Sequence, residues 1–393
     1  MFNTAILFDE SFQLPAESGR VFMPVRFYRV ISRDRKNFLH QTGNHKRALF
    51  TLWINFCKPA IINKLIMAKR QIKITWPSFF IGVESPGIIS FGSGQPDLEP
   101  PKEIFELKPK YSAFKYGLIQ GEEKLREALA GEYPNAAPEN FVITNGASEA
   151  LDLVLRVLAK EPCLPPGRPG PNRALLCRPY YYSYPFVVKF AGMEPVYTDL
   201  KEGRIDLADF RKKAKGVKAV LINSPSNPTG RIEAMETLKE IEKISREENL
   251  WVISDEVYKD LIYERENYLI KGRRVITLNS FSKTYSMCGL RVGYLYSPDR
   301  ALVQKVIEMK VHTSMNTNSL AQEMALAAAR VDRAYVRRQV KIWQRRRDVI
   351  YGGLIKLGFS LWRPEGAFYA LPKIKNSGRV VSELFYKYKV IVY

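Results

Sequence analysis

Short apolar runs alternate with helical stretches over the middle of the chain. From about residue 140 these runs are rich in β-branched residues and have the length of buried strands. Helical stretches such as "METLKEIEKISREEN" separate several of them, and in "SEALDLVLRVLA" the apolar Leu151, Val154, Leu155 and Leu158 share one helical face. The alternation predicts an α/β fold with three layers, α/β/α, around a mainly parallel sheet. The predicted strands are "NFVITNG", "RALLC", "EPVYTDL", "KAVLINSP", "LWVISDEVY", "RVITLNS" and "VGYLYS".

The pattern changes after about residue 300, where long helical periods precede "GFSLWRPEGAFYALPKI". This change predicts a second, smaller α+β domain. Residues 330–347, "RVDRAYVRRQVKIWQRRR", are strongly basic, and Val336, Val340 and Trp343 fall at helical spacing within them. We interpret this run as a helix with a solvated basic face, in preference to a stripe that binds nucleic acid.

The first 70 residues show no sustained period of two or 3.6. Their apolar stretch "ALFTLWINFCKPAIINKLIMA" is broken by Lys58, Pro59 and Lys64, so it is a poor membrane span. We interpret residues 1–70 as a basic N-terminal extension without a clear fold, and Met67 as a candidate native start.

Charge and cysteine content narrow the class of protein. The 393 residues carry a formal net charge of +21, and residues 1–75 contribute 13 Lys and Arg against four Asp and Glu. The four cysteines are scattered, and no pair of them has the spacing of a disulfide framework or a zinc site. We therefore expect a cytoplasmic protein that holds no metal, crosses no membrane and has no nucleic-acid partner.

Polar residues follow several of the predicted strands, and in such sheets ligands bind at the carboxyl ends of strands. "ITNGASEAL" ends one strand and opens a helix at Gly146, Ala147 and Ser148, where free N–H groups and the helix dipole can bind an anion; a plain N-cap by Ser148 is the alternative. Asn227 in "SPSNPTG" precedes a Pro-Thr-Gly turn and has turn chemistry as its alternative.

Two further strand ends carry the remaining candidates. "SDEVYKDLIY" contributes Asp255 and Tyr258, whose alternative is an exposed strand end, and "RPYYYSYPF" contributes Tyr181 within an aromatic cluster that could be packing alone. With Lys283, these groups are what pyridoxal phosphate requires. A lysine binds the cofactor covalently, a carboxylate keeps the pyridine nitrogen protonated, and a phenol and an amide bond the ring hydroxyl.

The segment "NSFSKTYSMCGLRVGY" resembles the active-site lysine segment of fold-type-I aminotransferases, the aspartate/aromatic aminotransferase family. The resemblance covers roughly residues 78–392 and rests on several further motifs in consistent order. These are "SGQPDLEPP", "YGLIQGEEKLREALA", "TNGASEAL", "PYYYSYPFVVKFAG", "PSNPTG" and "SDEVYKDLIY".

The family pattern implies a role for each candidate residue. It implies that Lys283 anchors the cofactor, that Asp255 holds the pyridine nitrogen and that Tyr258 and Asn227 hold the ring oxygen. It further implies that Tyr181 stacks on the ring, that the phosphate is held by Gly146, Ala147, Ser148, Ser280 and Arg291, and that Gly94, Tyr181 and Asn227 contact the substrate. Tyr116 would reach the phosphate of a neighbouring subunit, which implies a homodimer. The implied reaction is a ping-pong transamination from an L-amino acid to a 2-oxo acid, in which Lys283 transfers the proton.

The resemblance also implies domain boundaries. We expect a large cofactor-binding domain over residues 110–300 and a small domain made of residues 75–109 and 301–393. The chain ends at "YKYKVIVY", where the family continues with a glycine-rich turn, a strand and a carboxylate-binding arginine. We therefore expect impaired transamination and an exposed apolar edge at residues 390–392.

Two other functions remain open at this point. The cofactor residues are compatible with a lyase, such as one like aminocyclopropane-carboxylate synthase, or a decarboxylase on the same fold. The basic N-terminal region is compatible with a transcription regulator that carries an aminotransferase-like domain, although no helix-turn-helix pattern occurs in residues 1–70. The sequence does not identify the amino donor or the acceptor.

Overall fold

A computed structural model describes residues 87, 89–91, 94–108, 115–161 and 172–392. The predictions for the N-terminal extension, residues 1–70, lie outside these ranges. Eight strands of the described part form one sheet, in the order β2-β9-β8-β7-β6-β3-β4-β5. The strands are β2 (Phe141–Thr144), β3 (Arg173–Arg178), β4 (Glu194–Lys201), β5 (Arg204–Ile205), β6 (Ala219–Asn223), β7 (Trp251–Asp255), β8 (Val275–Ser280) and β9 (Gly293–Tyr296). All seven strands predicted from the sequence are confirmed.

The centre of this sheet is parallel, as predicted. Strands β4, β3, β6, β7 and β8 pair in parallel, whereas β9 runs antiparallel to both β8 and β2, and β5 runs antiparallel to β4. Since the parallel strands share one direction, their carboxyl ends lie at a common edge. That edge carries Arg178, Asn223, Asp255 and Ser280 as the last residues of four strands.

Helices cover both faces of the sheet and give the three predicted layers. Leu176, Leu221 and Ile253 pack with α2 (Gly146–Lys160) and α7 (Arg300–Val311) in one buried cluster. Their neighbours along the strands, including Leu175, Val220 and Val252, pack with α4 (Leu207–Ala214) and α5 (Met235–Glu247) in a second. The alternation of side chains along each strand explains why one run of apolar residues fills two cores.

The remaining helices are α1 (Glu123–Ala130), α3 (Tyr184–Phe190), α6 (Phe281–Thr284), α8 (Ser319–Ala329), α9 (Arg333–Lys356) and α10 (Ser377–Tyr388). Helix α9 contains residues 333–347 of the basic run found in the sequence. Val336 on it is buried, and Val340 and Trp343 pack near Tyr258 and Ala367, while most of its arginines face solvent. The prediction of a helix with a solvated basic face is confirmed. No helix within the described ranges is long and apolar enough to cross a membrane.

Two short strand pairs lie outside the main sheet. Strand β10 (Ser360–Leu361) pairs antiparallel with β11 (Pro372–Lys373), and β12 (Val390–Ile391) pairs in parallel with β1 (Ile89–Ser90). Strand β1 pairs with one edge of residues 390–391, and Ile391 is buried. The opposite edge of β12 has no strand partner within the described ranges, so the expectation of an exposed edge at residues 390–392 stays a prediction. The pairing also brings a segment before residue 109 together with one after residue 301.

Candidate functional site

Lys283 lies just beyond the end of β8, in the short helix α6. Ser280 caps this helix, and its hydroxyl accepts a hydrogen bond from the Ser282 N–H at 3.4 Å. The Lys283 Nζ donates to the carbonyl of Gly94 at 2.7 Å and lies 5.9 Å from the centre of the Phe368 ring. Burial lowers the pKa of the Lys283 ammonium, and the charge of Arg291 adds to this effect. A lysine in this setting is more readily available as a neutral nucleophile than an exposed one.

Asp255 ends β7 and points its carboxyl group into the same region. Its two oxygens accept hydrogen bonds from the Tyr184 hydroxyl at 2.7 Å and from the Val257 N–H at 3.3 Å. The Asn223 amide fixes the backbone at this point by donating to the Asp255 carbonyl at 2.9 Å. Burial nevertheless raises the pKa of Asp255, so a cationic group beside it would stabilise the carboxylate. The protonated nitrogen of a pyridine ring fits this requirement.

An anion cradle lies where α2 follows β2. Gly146 has φ +76° at the start of this 15-residue helix, and a β-carbon there would lie 2.5 Å from an Arg291 guanidinium nitrogen. Gly293 approaches so closely that its β-carbon would meet the Ala147 nitrogen at 2.7 Å. The absence of side chains at these two glycines therefore lets a guanidinium lie directly against a helix N-terminus. A phosphate group fits this arrangement, because the guanidinium and the helix dipole both favour an anion.

A buried ion pair supports the cradle from inside. Glu149 in the first turn of α2 accepts from the Asn145 backbone N–H at 2.6 Å and lies 3.3 Å from the Nζ of Lys310. The Lys310 side chain is fully buried. Its charge offsets that of Glu149, which would otherwise repel an anion held at the same helix end.

The other predicted site residues occupy varied positions. Tyr258 is buried, and its hydroxyl lies 2.6 Å from that of Tyr369. Asn227 donates its backbone N–H to the Asn223 side chain at 2.6 Å. Asn223 therefore connects Asn227 with Asp255, because its side chain also donates to the Asp255 carbonyl. The Tyr181 ring packs edge-on to Tyr184 at 5.5 Å.

Three predicted residues face solvent. Ser148 is exposed at the first turn of α2, Arg291 is exposed beside the cradle, and Tyr116 is 84% exposed. Ser148 is thus accessible to an anion at the helix end. For Tyr116, no contact between its side chain and this site is seen within the described ranges.

Five residues that contribute to the geometry were not among the predicted site residues: Tyr184, Asn223, Lys310, Phe368 and Tyr369. Tyr184 and Asn223 stand in the motifs "PYYYSYPF" and "NSPSNPTG", so their neighbourhood was recognisable. The segment "GAFYAL" carries Phe368 and Tyr369 and reads as a short apolar run without a polar strand end. Lys310 lies in a helix and has no local signal at all.

Comparison with known proteins decides the family. A family model for aminotransferase class I and II matches residues 86–393. The chain belongs to this aminotransferase family. Its three-layer α/β/α fold is that of the fold-type-I transferases. The chain is a pyridoxal-phosphate-dependent aminotransferase of the EC 2.6.1 class.

Curated relatives and solved structures agree with the family. The aminotransferase is 33% identical over 308 residues to a probable aspartate aminotransferase of Methanocaldococcus jannaschii, which covers 74% of this chain and 79% of the relative. It is 30% identical over 329 residues to an aspartate/prephenate aminotransferase of Thermus thermophilus, over 77% and 83% of the two chains. A double mutant of Thermus thermophilus aspartate aminotransferase superposes with a TM-score of 0.71 at 28% identity, over 78% and 83% of the chains. These relatives favour transamination over the lyase, decarboxylase and transcription-regulator alternatives.

Proposed function

We propose that the aminotransferase binds its cofactor through Lys283 at the carboxyl edge of the sheet. The observation that carries this proposal is the convergence of three features at one edge. A half-buried lysine with a lowered pKa, a half-buried carboxyl with a raised pKa and an anion cradle all lie there. Each matches one part of pyridoxal phosphate: the aldehyde, the pyridine nitrogen and the phosphate.

Each side chain then has a defined task. Asp255 holds the pyridine nitrogen, Tyr258 and Asn227 hold the ring oxygen, and Tyr181 stacks on the ring. The phosphate is held by Gly146, Ala147, Ser148, Ser280 and Arg291, and the substrate contacts Gly94, Tyr181 and Asn227. When bound, pyridoxal phosphate supplies an electron-withdrawing ring that stabilises negative charge on the α-carbon of the amino acid.

Lys283 performs the proton transfer in this proposal. Its amine removes the proton from the α-carbon of the bound amino acid and returns a proton in the reverse half-reaction. The lowered pKa supports this role, because a base must be neutral to accept a proton. The Gly94 carbonyl, 2.7 Å from Nζ, orients the amine.

The substrates are an L-amino acid and a 2-oxo acid. We propose an acidic or aromatic amino donor, since relatives are named for aspartate, aspartate/prephenate and aromatic amino acids. The aromatic rings of Phe368 and Tyr369 beside Lys283 and Tyr258 are compatible with both classes of donor.

We also propose a cytoplasmic homodimer that acts in amino-acid biosynthesis. Tyr116 supports the dimer, because a tyrosine that is 84% exposed in one subunit is free to reach a neighbouring one. The proposed domains remain residues 110–300 and residues 75–109 with 301–393. The β1–β12 pairing supports the second of these, since it joins the two separate segments.

A panel of amino donors tests the function. The cofactor-loaded protein is incubated with 2-oxoglutarate and one donor at a time, including aspartate, tyrosine, phenylalanine and alanine. We expect stoichiometric glutamate and the 2-oxo acid of the donor, fastest with aspartate or an aromatic amino acid. Release of ammonia or carbon dioxide without glutamate would indicate a lyase or a decarboxylase instead.

A further inference from the structure

Tyr258 and Tyr369 form a pair of hydroxyl groups inside the proposed site. Their oxygens are 2.6 Å apart, at the short end of the range for O–H···O hydrogen bonds. Tyr258 is buried to 3% exposure, and burial keeps the pKa of its phenol well above the usual value. The Tyr258 phenol is therefore protonated at neutral pH, and one hydrogen lies between the two oxygens. Where Tyr369 donates that hydrogen, the hydrogen of Tyr258 points away from Tyr369.

Tyr369 is also close to Gly94, the residue that accepts the hydrogen bond of the lysine. A β-carbon on Gly94 would lie 2.8 Å from the Tyr369 hydroxyl oxygen, and the carbonyl of the same glycine accepts the Lys283 hydrogen bond. The Tyr369 hydroxyl thus lies between Tyr258, which would hold the ring oxygen, and Gly94, whose carbonyl accepts from the lysine nitrogen. A side chain at position 94 would therefore require the Tyr369 hydroxyl to move.

The loop that carries Tyr369 is held at several points. Glu365 and Gly366 donate their backbone N–H groups to the Gly230 carbonyl at 2.7 and 3.0 Å, and Ala367 donates to Leu261 at 2.8 Å. These bonds tie the loop to the two segments that carry Asn227 and Tyr258. The position of the Tyr369 hydroxyl is therefore set by the same framework as the proposed cofactor contacts.

The Glu365 side chain adds ionic contacts to this framework. Its carboxylate lies 2.8 Å from Arg204, 2.8 Å from Arg265 and 3.5 Å from Arg231, and it accepts the Ile232 N–H at 3.0 Å. Such a network restricts the loop more than a single exposed ion pair would.

We propose that Tyr369 is a positioning residue that acts through Tyr258. Its hydroxyl donates to the Tyr258 oxygen and so directs the Tyr258 hydrogen toward the ring oxygen of the cofactor. A hydroxyl that accepts one hydrogen bond is polarised and becomes a stronger donor in the next. The proposal rests on the role of Tyr258 given under the proposed function.

The pH dependence of cofactor absorption reads out this role. Stronger donation to the ring oxygen stabilises its negative charge, and the nearby lysine nitrogen then releases its proton at lower pH. Loss of the Tyr369 hydroxyl should raise the pH midpoint of the absorption change of the lysine-linked cofactor by about half a unit, within the range expected for one hydrogen bond. Tyr258→Phe, which removes the direct donor, should raise it further.

A double-mutant cycle separates action through Tyr258 from an independent effect. The midpoint is measured by spectrophotometric titration for the parent, Tyr369→Phe, Tyr258→Phe and the double variant, all loaded with cofactor. We expect Tyr369→Phe to raise the midpoint in the parent and to cause no further shift in the Tyr258→Phe background. Equal shifts in both backgrounds, or no shift in either, would overturn the proposal.

Tyr133→Phe is the matched control. Tyr133 and Tyr294 form another buried pair, with hydroxyl oxygens 3.0 Å apart. This variant should leave the midpoint unchanged, and a shift like that of Tyr369→Phe would count against a specific role for Tyr369. If the parent lacks lysine-linked absorption altogether, the cofactor assignment fails as well. A normal parent with an unmoved Tyr369→Phe variant overturns only the present proposal.

Discussion

Two neighbouring carboxyl groups at the end of β7 have different surroundings. Asp255 lies beside Tyr184, and both of its oxygens accept hydrogen bonds. Glu256, the next residue, bonds to Ser254 at 2.9 Å through one oxygen, while its other oxygen has no partner among the described residues. Burial raises the pKa of both carboxyl groups, that of Glu256 to about 7.

Two half-buried lysines also differ in their surroundings. The pKa of Lys283 is lowered because the effect of its partial burial dominates over the charge of Asp255. Partial burial also lowers the pKa of Lys259, but Asp260 and Glu132 outweigh this effect and raise it. Burial alone therefore does not make a side chain reactive. A lysine is a candidate nucleophile only where neighbouring carboxylates do not stabilise its charged form. A buried carboxyl is a candidate partner for a cation only where a cation can lie beside it.

The largest expected effect is on turnover, and it distinguishes the two carboxyl groups. Asp255→Asn should raise the activation barrier by several kcal/mol, because a neutral amide cannot keep the pyridine nitrogen protonated. Each 1.36 kcal/mol lowers kcat about tenfold. Glu256→Gln makes the same chemical change one residue away and should keep kcat within about threefold, a small difference on that scale. Steady-state kinetics on both variants measures the contrast. Similar losses in the two would remove the distinction.

The next effect concerns the anion cradle. Arg291→Ala should weaken cofactor binding by about 1.5–3 kcal/mol, or roughly tenfold to 150-fold, as expected for lost charge-assisted bonds. Arg291→Lys should recover part of this, since a lysine keeps the charge but not the planar fork. Equilibrium dialysis against pyridoxal phosphate gives the affinities.

A matched arginine serves as control for this experiment. Arg333 lies near Lys259 and bonds to Asp260 at 3.1 Å, away from the helix end that forms the cradle. Arg333→Ala should leave cofactor affinity unchanged. An equal loss in Arg333→Ala and Arg291→Ala would show that general positive charge, and not the cradle, holds the phosphate.

The smallest expected effect is the change in folding stability that accompanies deprotonation of Glu256. Its pKa of about 7 in the folded protein lies above its usual value of 4.5, so the folded state binds more protons between these values. The stabilisation is therefore present at low pH and is lost as pH rises through 7, by about 2 kcal/mol between pH 5 and 7.5. Urea denaturation across this range should show a weaker pH dependence for Glu256→Gln than for the parent. Identical pH profiles would mean that Glu256 titrates at its ordinary pKa.

Much of the fold and part of the site could be predicted because they follow from local patterns. Each apolar run predicted its strand, and the geometry of parallel sheets brings the ends of β7 and β8 to one edge. Asp255 and Ser280 could therefore be placed together without knowledge of any side-chain contact. The individual roles of these residues came from the family resemblance.

Contacts between distant segments could not be predicted in this way. Tyr369 meets Tyr258 across 111 residues, and Lys310 meets Glu149 across 161. A local pattern shows that a segment is buried, but it does not show which loop covers a strand end. The pairing of residues 390–391 was unpredictable for the same reason, because their partner β1 lies near the opposite end of the described chain.

Covalent trapping distinguishes Lys283 from Lys259 as the lysine that binds the cofactor. The protein is loaded with pyridoxal phosphate, reduced with borohydride and digested, and the modified peptide is identified by mass spectrometry. We expect a single adduct on Lys283, its loss in Lys283→Ala, and an unchanged adduct in Lys259→Ala. An adduct on Lys259 or another lysine, or one that persists in Lys283→Ala, would contradict this assignment.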